Sequence, residues 1–136
     1  MKRFLFILLC LLLVSLQLVA CTGENESSPP EAGDPALGKD LYSQTVLGPR
    51  AAPGCVTCHS LKPGVTLVGP SHAGIAGRAG SMIEGLSAEE YLRESIINPD
   101  AHVSEGFAPG IMYQRFGEDL TEQEINDLVA FMLTLK

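Results

Sequence analysis

Two cysteines and a histidine form the run C-V-T-C-H at positions 55–59, and these residue types at this spacing are candidates for a redox, metal-binding or cofactor-binding site. A cysteine pair with two residues between its members can form a disulfide, act as a redox dithiol, supply half of a zinc site or attach a haem covalently. The histidine directly after Cys58 matters only for some of these sites. The rest of the chain decides among them.

The first twenty residues predict an export signal. Lys2 and Arg3 precede the unbroken apolar run FLFILLCLLLV at residues 4–14, and SLQLVAC follows at 15–21. A basic start, a short apolar core and small residues at its end are typical of a secretory signal peptide. The run is shorter than the about 20 apolar residues that a membrane-spanning helix requires. We therefore expect residues 1–20 to be removed.

The residues L-V-A-C at 18–21 resemble the lipobox of bacterial lipoproteins. The resemblance implies that Cys21 is acylated and becomes the N-terminus, which would anchor the exported chain in the periplasm or at the outer face of the cytoplasmic membrane. A diacylglyceryl group supplies two acyl chains, and two membrane signals suffice for stable anchoring. The alternatives are an ordinary signal peptide with Cys21 as a free thiol, or an uncleaved helix.

All four cysteines of the chain then have a predicted fate. Cys10 leaves with the signal, Cys21 carries lipid, and Cys55 and Cys58 remain as a pair. No further cysteines are left for a four-cysteine zinc site, and no βαβ pattern surrounds the pair as in a thioredoxin-like dithiol. The motif therefore predicts a haem held by two thioether bonds, with His59 delivered to the iron. A structural disulfide beside an unrelated histidine is the alternative.

The charge of the chain argues against a nucleic-acid partner. The formal net charge is -7, and loss of Lys2 and Arg3 with the signal makes it -9. Proteins that bind nucleic acids carry basic patches instead. The acids are unevenly spread, because residues 41–83 contain none and residues 84–127 contain eleven.

The length suits one domain with an appendage. We divide the chain into a signal (1–20), a lipidated N-terminus with a flexible Ser/Pro/Gly-rich tether (21–33) and a folded domain (34–136). Three helices are predicted: one from Asp34 as N-cap, one over 87–99 from the capping box Ser87–Glu90, and one over 121–136 from the box Thr121–Glu124. No stretch alternates clearly enough to predict a strand.

The remaining stretches, 46–86 and 98–120, are rich in glycine and proline and cannot form long helices. Long irregular loops in a small domain are usually functional. A large apolar cofactor would give them a surface to pack on, which agrees with the haem that the cysteine motif predicts.

From residue 34 to 136, the chain resembles a class I cytochrome c. It is similar to the monohaem domains fused to haem–copper oxidase subunits or attached as small subunits to other respiratory complexes. The resemblance rests on GKDLYSQ (38–44), CVTCH (55–59), VGP (68–70), INPDAHVSEGFAPGIM (97–112) and Phe131. It implies an all-α fold in which three main helices and long loops surround one covalent haem c.

The resemblance also implies roles for single residues. His59 and Met112 would be the axial iron ligands, and the carbonyl of Pro70 would accept the ring proton of His59. Arg78 is a candidate contact for a haem propionate, or else a solvated surface arginine.

Other residues compete for the sixth iron position, and the match has two departures. The competitors are His72, His102, Met82 and Met132. Met132 fits the helical core better, and the two histidines are expected at the surface or beside the ligands. The loop 45–54 is longer than usual, which we expect to affect surface shape only, and Tyr113 stands where the family commonly has proline after the methionine.

These features predict a membrane-tethered one-electron carrier and not an enzyme. Two axial protein ligands leave no iron position for a small-molecule substrate. The expected partners are redox proteins of a respiratory or photosynthetic chain, visited in turn or bound as one complex. If the sixth position were open, the alternative is a haem peroxidase or a gas-binding protein.

We predict that the native protein has the mass of a chain that starts at Cys21 and carries acyl groups and one haem. Intact-mass measurement on detergent-extracted protein checks this expectation. Replacement Cys21→Ser should release the protein from membranes with its visible spectrum unchanged. A full-length mass with a free thiol at Cys21 would contradict lipidation.

Overall fold

The computed structural model describes residues 31–136, so the predicted signal, Cys21 and most of the predicted tether lie outside the described residues. Five α-helices are present there: α1 (Pro35–Ser43), α2 (Ile75–Arg78), α3 (Ala88–Ile97), α4 (Phe116–Asp119) and α5 (Glu122–Met132). A hairpin of β1 (Val46–Leu47) and β2 (Ala52–Pro53) follows α1, and 3₁₀ turns cover Cys55–Thr57 and Ala79–Ser81. The all-α class with three main helices, α1, α3 and α5, is confirmed.

The helices begin where their capping residues predict. The Asp34 carboxylate accepts a hydrogen bond from the backbone N–H of Ala36 at 2.7 Å. Both predicted capping boxes form, with Ser87 and Thr121 as N-caps of α3 and α5. The C-terminal ends of two helices lie a few residues before the predicted ends at 99 and 136. Helix α3 ends at Ile97 and α5 ends at Met132. Caps satisfy free backbone groups locally and are therefore visible in sequence, whereas helix ends depend on tertiary packing.

Helices α1 and α5 cross in close contact, and a glycine permits it. A Cβ atom on Gly38 would lie 1.9 Å from the backbone oxygen of Asp127. The Tyr42 ring packs on Phe131 beside this crossing, with ring centroids 5.3 Å apart. Asp127 is 3% exposed and accepts a hydrogen bond from the backbone N–H of Asp34 at 2.8 Å. This acid is thus a buried link between helices and not part of a charged surface.

The chain packs on α5 slightly before the predicted domain boundary. The backbone N–H of Glu31 donates to the side-chain oxygen of Gln123 at 2.7 Å, and its carbonyl accepts from Asn126 at 3.1 Å. Glu31 thus already contacts α5, although it lies within the segment 21–33 that is predicted to be the tether. Within residues 31–136, no helix is both long and apolar enough to cross a bilayer.

The segment 45–54 corrects two expectations. It forms an antiparallel hairpin in which Val46 pairs with Pro53 and Leu47 with Ala52, although no strand was predicted. Strands of two residues are too short to show an alternating pattern, so the sequence does not predict them. The expectation that this loop affects only surface shape is also wrong. Leu47 and Ala52 are each 1% exposed and belong to the hydrophobic core.

We predict that Gly38→Ala lowers the free energy of unfolding by about 3 kcal/mol, because the added methyl group meets helix backbone that cannot rotate away. Gly77→Ala is the matched control, since a Cβ there meets no atom within 4 Å. The control should match wild type or gain up to about 1 kcal/mol from better helix propensity. Denaturant unfolding of both variants measures the difference. Equal stabilities would show that the crossing of α1 and α5 is not tight.

Candidate haem site

A single cleft brings together the predicted site residues that the structure describes. Its walls include Cys55, Cys58, His59, Pro70, Arg78 and Met112. The empty space, including the part open to solvent, is about 1310 Å³. Much of the remaining wall is apolar and comes from helices α2 to α5, with Ile75, Leu92, Ile96, Phe116, Leu128 and Met132.

The two cysteines lie on a tight turn at the mouth of the cleft. The 3₁₀ turn Cys55–Thr57 follows Gly54, where a Cβ atom would lie 1.7 Å from the backbone oxygen of Gln44. The N–H of His59 donates to the Cys55 carbonyl at 2.9 Å, which fixes the histidine relative to the turn. Both thiols are free. Burial raises the pKa of the Cys55 thiol to about 11, so it is protonated at neutral pH.

The His59 ring is buried and oriented through one of its nitrogens. Its Nδ1 lies 2.8 Å from the carbonyl oxygen of Pro70. Burial lowers the pKa of His59, and the bond to Pro70 opposes that shift only in part. The neutral ring donates Nδ1–H to this carbonyl and keeps the lone pair of Nε2 available for a metal. A Cβ atom on Gly69 would lie 2.5 Å from His59 Cε1, so glycine makes room for the ring.

His72 is half-buried and lies against His59. The two rings stack with centroids 4.0 Å apart and planes 16° from parallel. Nδ1 of His72 is 3.1 Å from the Tyr42 hydroxyl. Burial, reinforced by His59 and Arg78, lowers the pKa of His72 to about 3, so the ring is neutral at physiological pH. Of the two placements expected from the sequence, only that beside the ligand is correct. No sequence pattern reveals ring stacking.

The other two polar candidate residues in the cleft, Arg78 and His102, make hydrogen bonds within the protein. Arg78 donates to the carbonyl oxygens of Ala73 at 2.5 Å and Ser71 at 2.6 Å, so it is not a solvated surface arginine. Its contact with a haem propionate stays a prediction. Nε2 of His102 lies 2.7 Å from the Glu94 carboxylate.

Three methionines line the cleft, in different settings. Met132 is 5% exposed and sits in the core, as its place on the helical stripe predicts. Met82 is 40% exposed just after the second 3₁₀ turn. Met112 is partly buried against the core, on the loop before α4. This loop position is the one that the resemblance assigned to the sixth ligand, and that role stays a prediction.

The model of the cytochrome c family matches residues 35–136. The chain belongs to the cytochrome c family. No curated protein sequence gave a match. Family membership makes the protein a haem-based electron carrier that binds haem c covalently, as the cysteine motif predicted.

The residues of this cytochrome c fit the haem. Two thiols and one neutral imidazole lie on a single turn, and the cleft beside them is lined largely by apolar side chains. Bound haem supplies a one-electron change at its iron. The chain contributes the rest: Pro70 holds the His59 ring, Arg78 braces the loop around Ser71, and the helices exclude water from the inner wall.

We predict that Gly69→Ala displaces the His59 ring and weakens its bond to Pro70. Stability should fall by about 1–3 kcal/mol through overpacking. The reduction potential should also shift, because the proton partner of a ligand histidine tunes the metal. Gly80→Ala is the control, since its Cβ would meet nothing closer than 3.5 Å. Redox titration and thermal unfolding of the two variants give the comparison. Unchanged potential in Gly69→Ala would contradict the tight fit around His59.

Proposed function

We propose that this cytochrome c is a membrane-tethered carrier of single electrons with His59 and Met112 as axial ligands. The observation that carries the proposal is that both side chains line one apolar cleft while Nδ1 of His59 is already engaged by Pro70. An imidazole and a thioether at the two axial positions leave no room for a substrate on the iron. Thioether ligation and burial both favour the reduced state and raise the reduction potential.

The chain around the site suits rapid electron transfer because it holds the ligands in one geometry. His59 is fixed by Pro70 on its edge and by His72 on its face, so its ring has little freedom to move. The surrounding core lets the ligand set stay the same in both redox states. Little rearrangement means a small barrier to gaining or losing an electron.

The length of the predicted tether would keep the domain close to the membrane. The predicted export signal and the lipobox-like L-V-A-C support a lipid on Cys21, which would hold the domain in the periplasm or at the outer face of the cytoplasmic membrane. Because Glu31 contacts α5, the link between lipid and domain can be no longer than residues 22–30. Nine extended residues span at most about 30 Å. The domain would then meet only partners at the same membrane.

The surface beside the haem attachment turn favours an apolar contact with a redox protein. Leu61, Val65, Leu67 and Val68 are all exposed there, at 39–53%. The segment 41–83 has no acidic residue, and two of its three cations, Arg50 and Arg78, are engaged in contacts within the chain. A partner protein, held permanently or visited, would dock on this face through shape and apolar area.

We predict that Met112→Ala converts the ferric protein from low spin to high spin. The weak near-infrared sulfur-to-iron band should disappear, cyanide should bind the ferric variant rapidly, and carbon monoxide should bind the reduced variant rapidly. Met82→Ala is the matched control, because Met82 lines the same cleft and should leave the wild-type spectrum intact. Absorption spectra and ligand-binding kinetics of the purified proteins provide the measurement.

Loss of the band in Met82→Ala instead would assign the sixth position to Met82. A high-spin wild-type protein that binds cyanide rapidly would contradict electron transfer through a closed site. That result would favour a peroxidase or a gas-binding protein.

A further inference from the structure

The loop that carries Met112 is fastened at the next residue. The Tyr113 hydroxyl donates a hydrogen bond to the Asp119 carboxylate at 2.5 Å. The Tyr113 ring stands edge-on to Phe116, with ring centroids 5.1 Å apart. Phe116 and Asp119 are the first and last residues of α4. Tyr113, the residue after Met112, therefore contacts both ends of this short helix.

Asp119 is buried and needs its partners. The side chain is 0% exposed, and one carboxylate oxygen accepts from Tyr113. The other oxygen, Oδ1, forms an ion pair with the guanidinium of Arg50 and has no further hydrogen-bond partner among the described residues. Burying a carboxylate is costly unless it is paired, so both contacts are needed to keep this one in place.

Arg50 comes from the hairpin, far away in sequence. It lies in the turn between β1 and β2, and it also donates to the carbonyl oxygen of Glu118 at 2.6 Å. The turn approaches α4 closely, because a Cβ atom on Gly48 would lie 2.9 Å from the backbone oxygen of Asp119. Strand β2 ends at Pro53, two residues before Cys55. The hairpin thus spans from the haem attachment turn to the methionine loop.

We propose that Arg50, Asp119 and Tyr113 form a positioning network that holds Met112 at the iron. The proposal rests on the axial role of Met112 given above. Arg50 neutralises the buried Asp119, Asp119 holds the Tyr113 hydroxyl, and Tyr113 restrains the backbone on which Met112 sits. The network opposes release of the methionine from the iron. Loss of the network would therefore open the sixth position more often, although the ligand Met112 itself is still present.

The test compares Tyr113→Phe and Arg50→Gln with wild type as purified ferric holoproteins. Tyr113→Phe keeps the aromatic ring on Phe116 and removes only the hydroxyl. Cyanide has to displace Met112, so its binding rate reports how often the loop releases the methionine. We expect cyanide binding to become about tenfold faster in each single variant, with a weaker near-infrared band. The double variant should be less than a hundredfold faster, because both residues act through Asp119.

Arg115→Gln is the matched control. Arg115 lies on the same loop and pairs with Glu118 at 2.9 Å, but its side chain is 51% exposed and forms no hydrogen bond or ion pair with Tyr113 or Asp119. Its backbone carbonyl accepts from the N–H of Asp119 at 3.0 Å, and Arg115→Gln keeps this backbone bond. It should bind cyanide at the wild-type rate. Thermal unfolding of every variant shows that the compared proteins are folded.

The outcomes separate the two proposals. A wild-type protein without the near-infrared band would overturn methionine ligation, and the network proposal with it. A wild-type protein that has the band, with variants that bind cyanide at the wild-type rate, would overturn the network alone. An equal acceleration in Arg115→Gln would also overturn it, since any change of charge on the loop would then suffice.

Discussion

The His59 imidazole is held by groups from separate parts of the chain, and the site is built around this ring. The Pro70 carbonyl fixes its edge, and the absence of a side chain on Gly69 leaves space for it. The His72 ring covers one face. Because the ring is buried among these groups, its pKa is lowered and it is neutral, which is the form that binds a metal.

Tyr42 connects this ring to the helical scaffold. Its ring packs on Phe131 at the crossing of α1 and α5, and its hydroxyl lies 3.3 Å from the His59 carbonyl and 3.1 Å from Nδ1 of His72. The close approach at Gly38 sets where Tyr42 stands. Packing at the crossing of α1 and α5 is therefore coupled to the position of the imidazole through the Tyr42 side chain, since dense cores transmit small shifts.

The methionine side of the cleft is organised by a different interaction. There the buried Asp119 joins the hairpin turn at Arg50 to the loop at Tyr113. The two halves of the site are thus held by different interactions. Aromatic packing surrounds His59, and near Met112 the buried Asp119 carboxylate pairs with the half-exposed Arg50. Both keep side chains in place without adding a reactive group, as an electron carrier requires.

Features that depend on neighbours along the chain could be predicted from the amino-acid sequence. Three kinds of feature act over only a few residues, so their patterns can be recognised in the sequence. They are the C-x-x-C-H spacing, the N-cap at Asp34 and the two capping boxes. The family resemblance added Pro70, which the structure places 2.8 Å from the His59 ring.

Contacts between residues that are distant in sequence were visible only in the folded structure. Tyr42 and His72 are 30 residues apart, and Arg50 lies 68 residues before Glu118, whose carbonyl it contacts. The burial of Leu47 in a hairpin with strands of two residues likewise has no periodic signature. Such contacts arise when helices and loops pack into one core, and a single sequence records the residue types but not the distances between them.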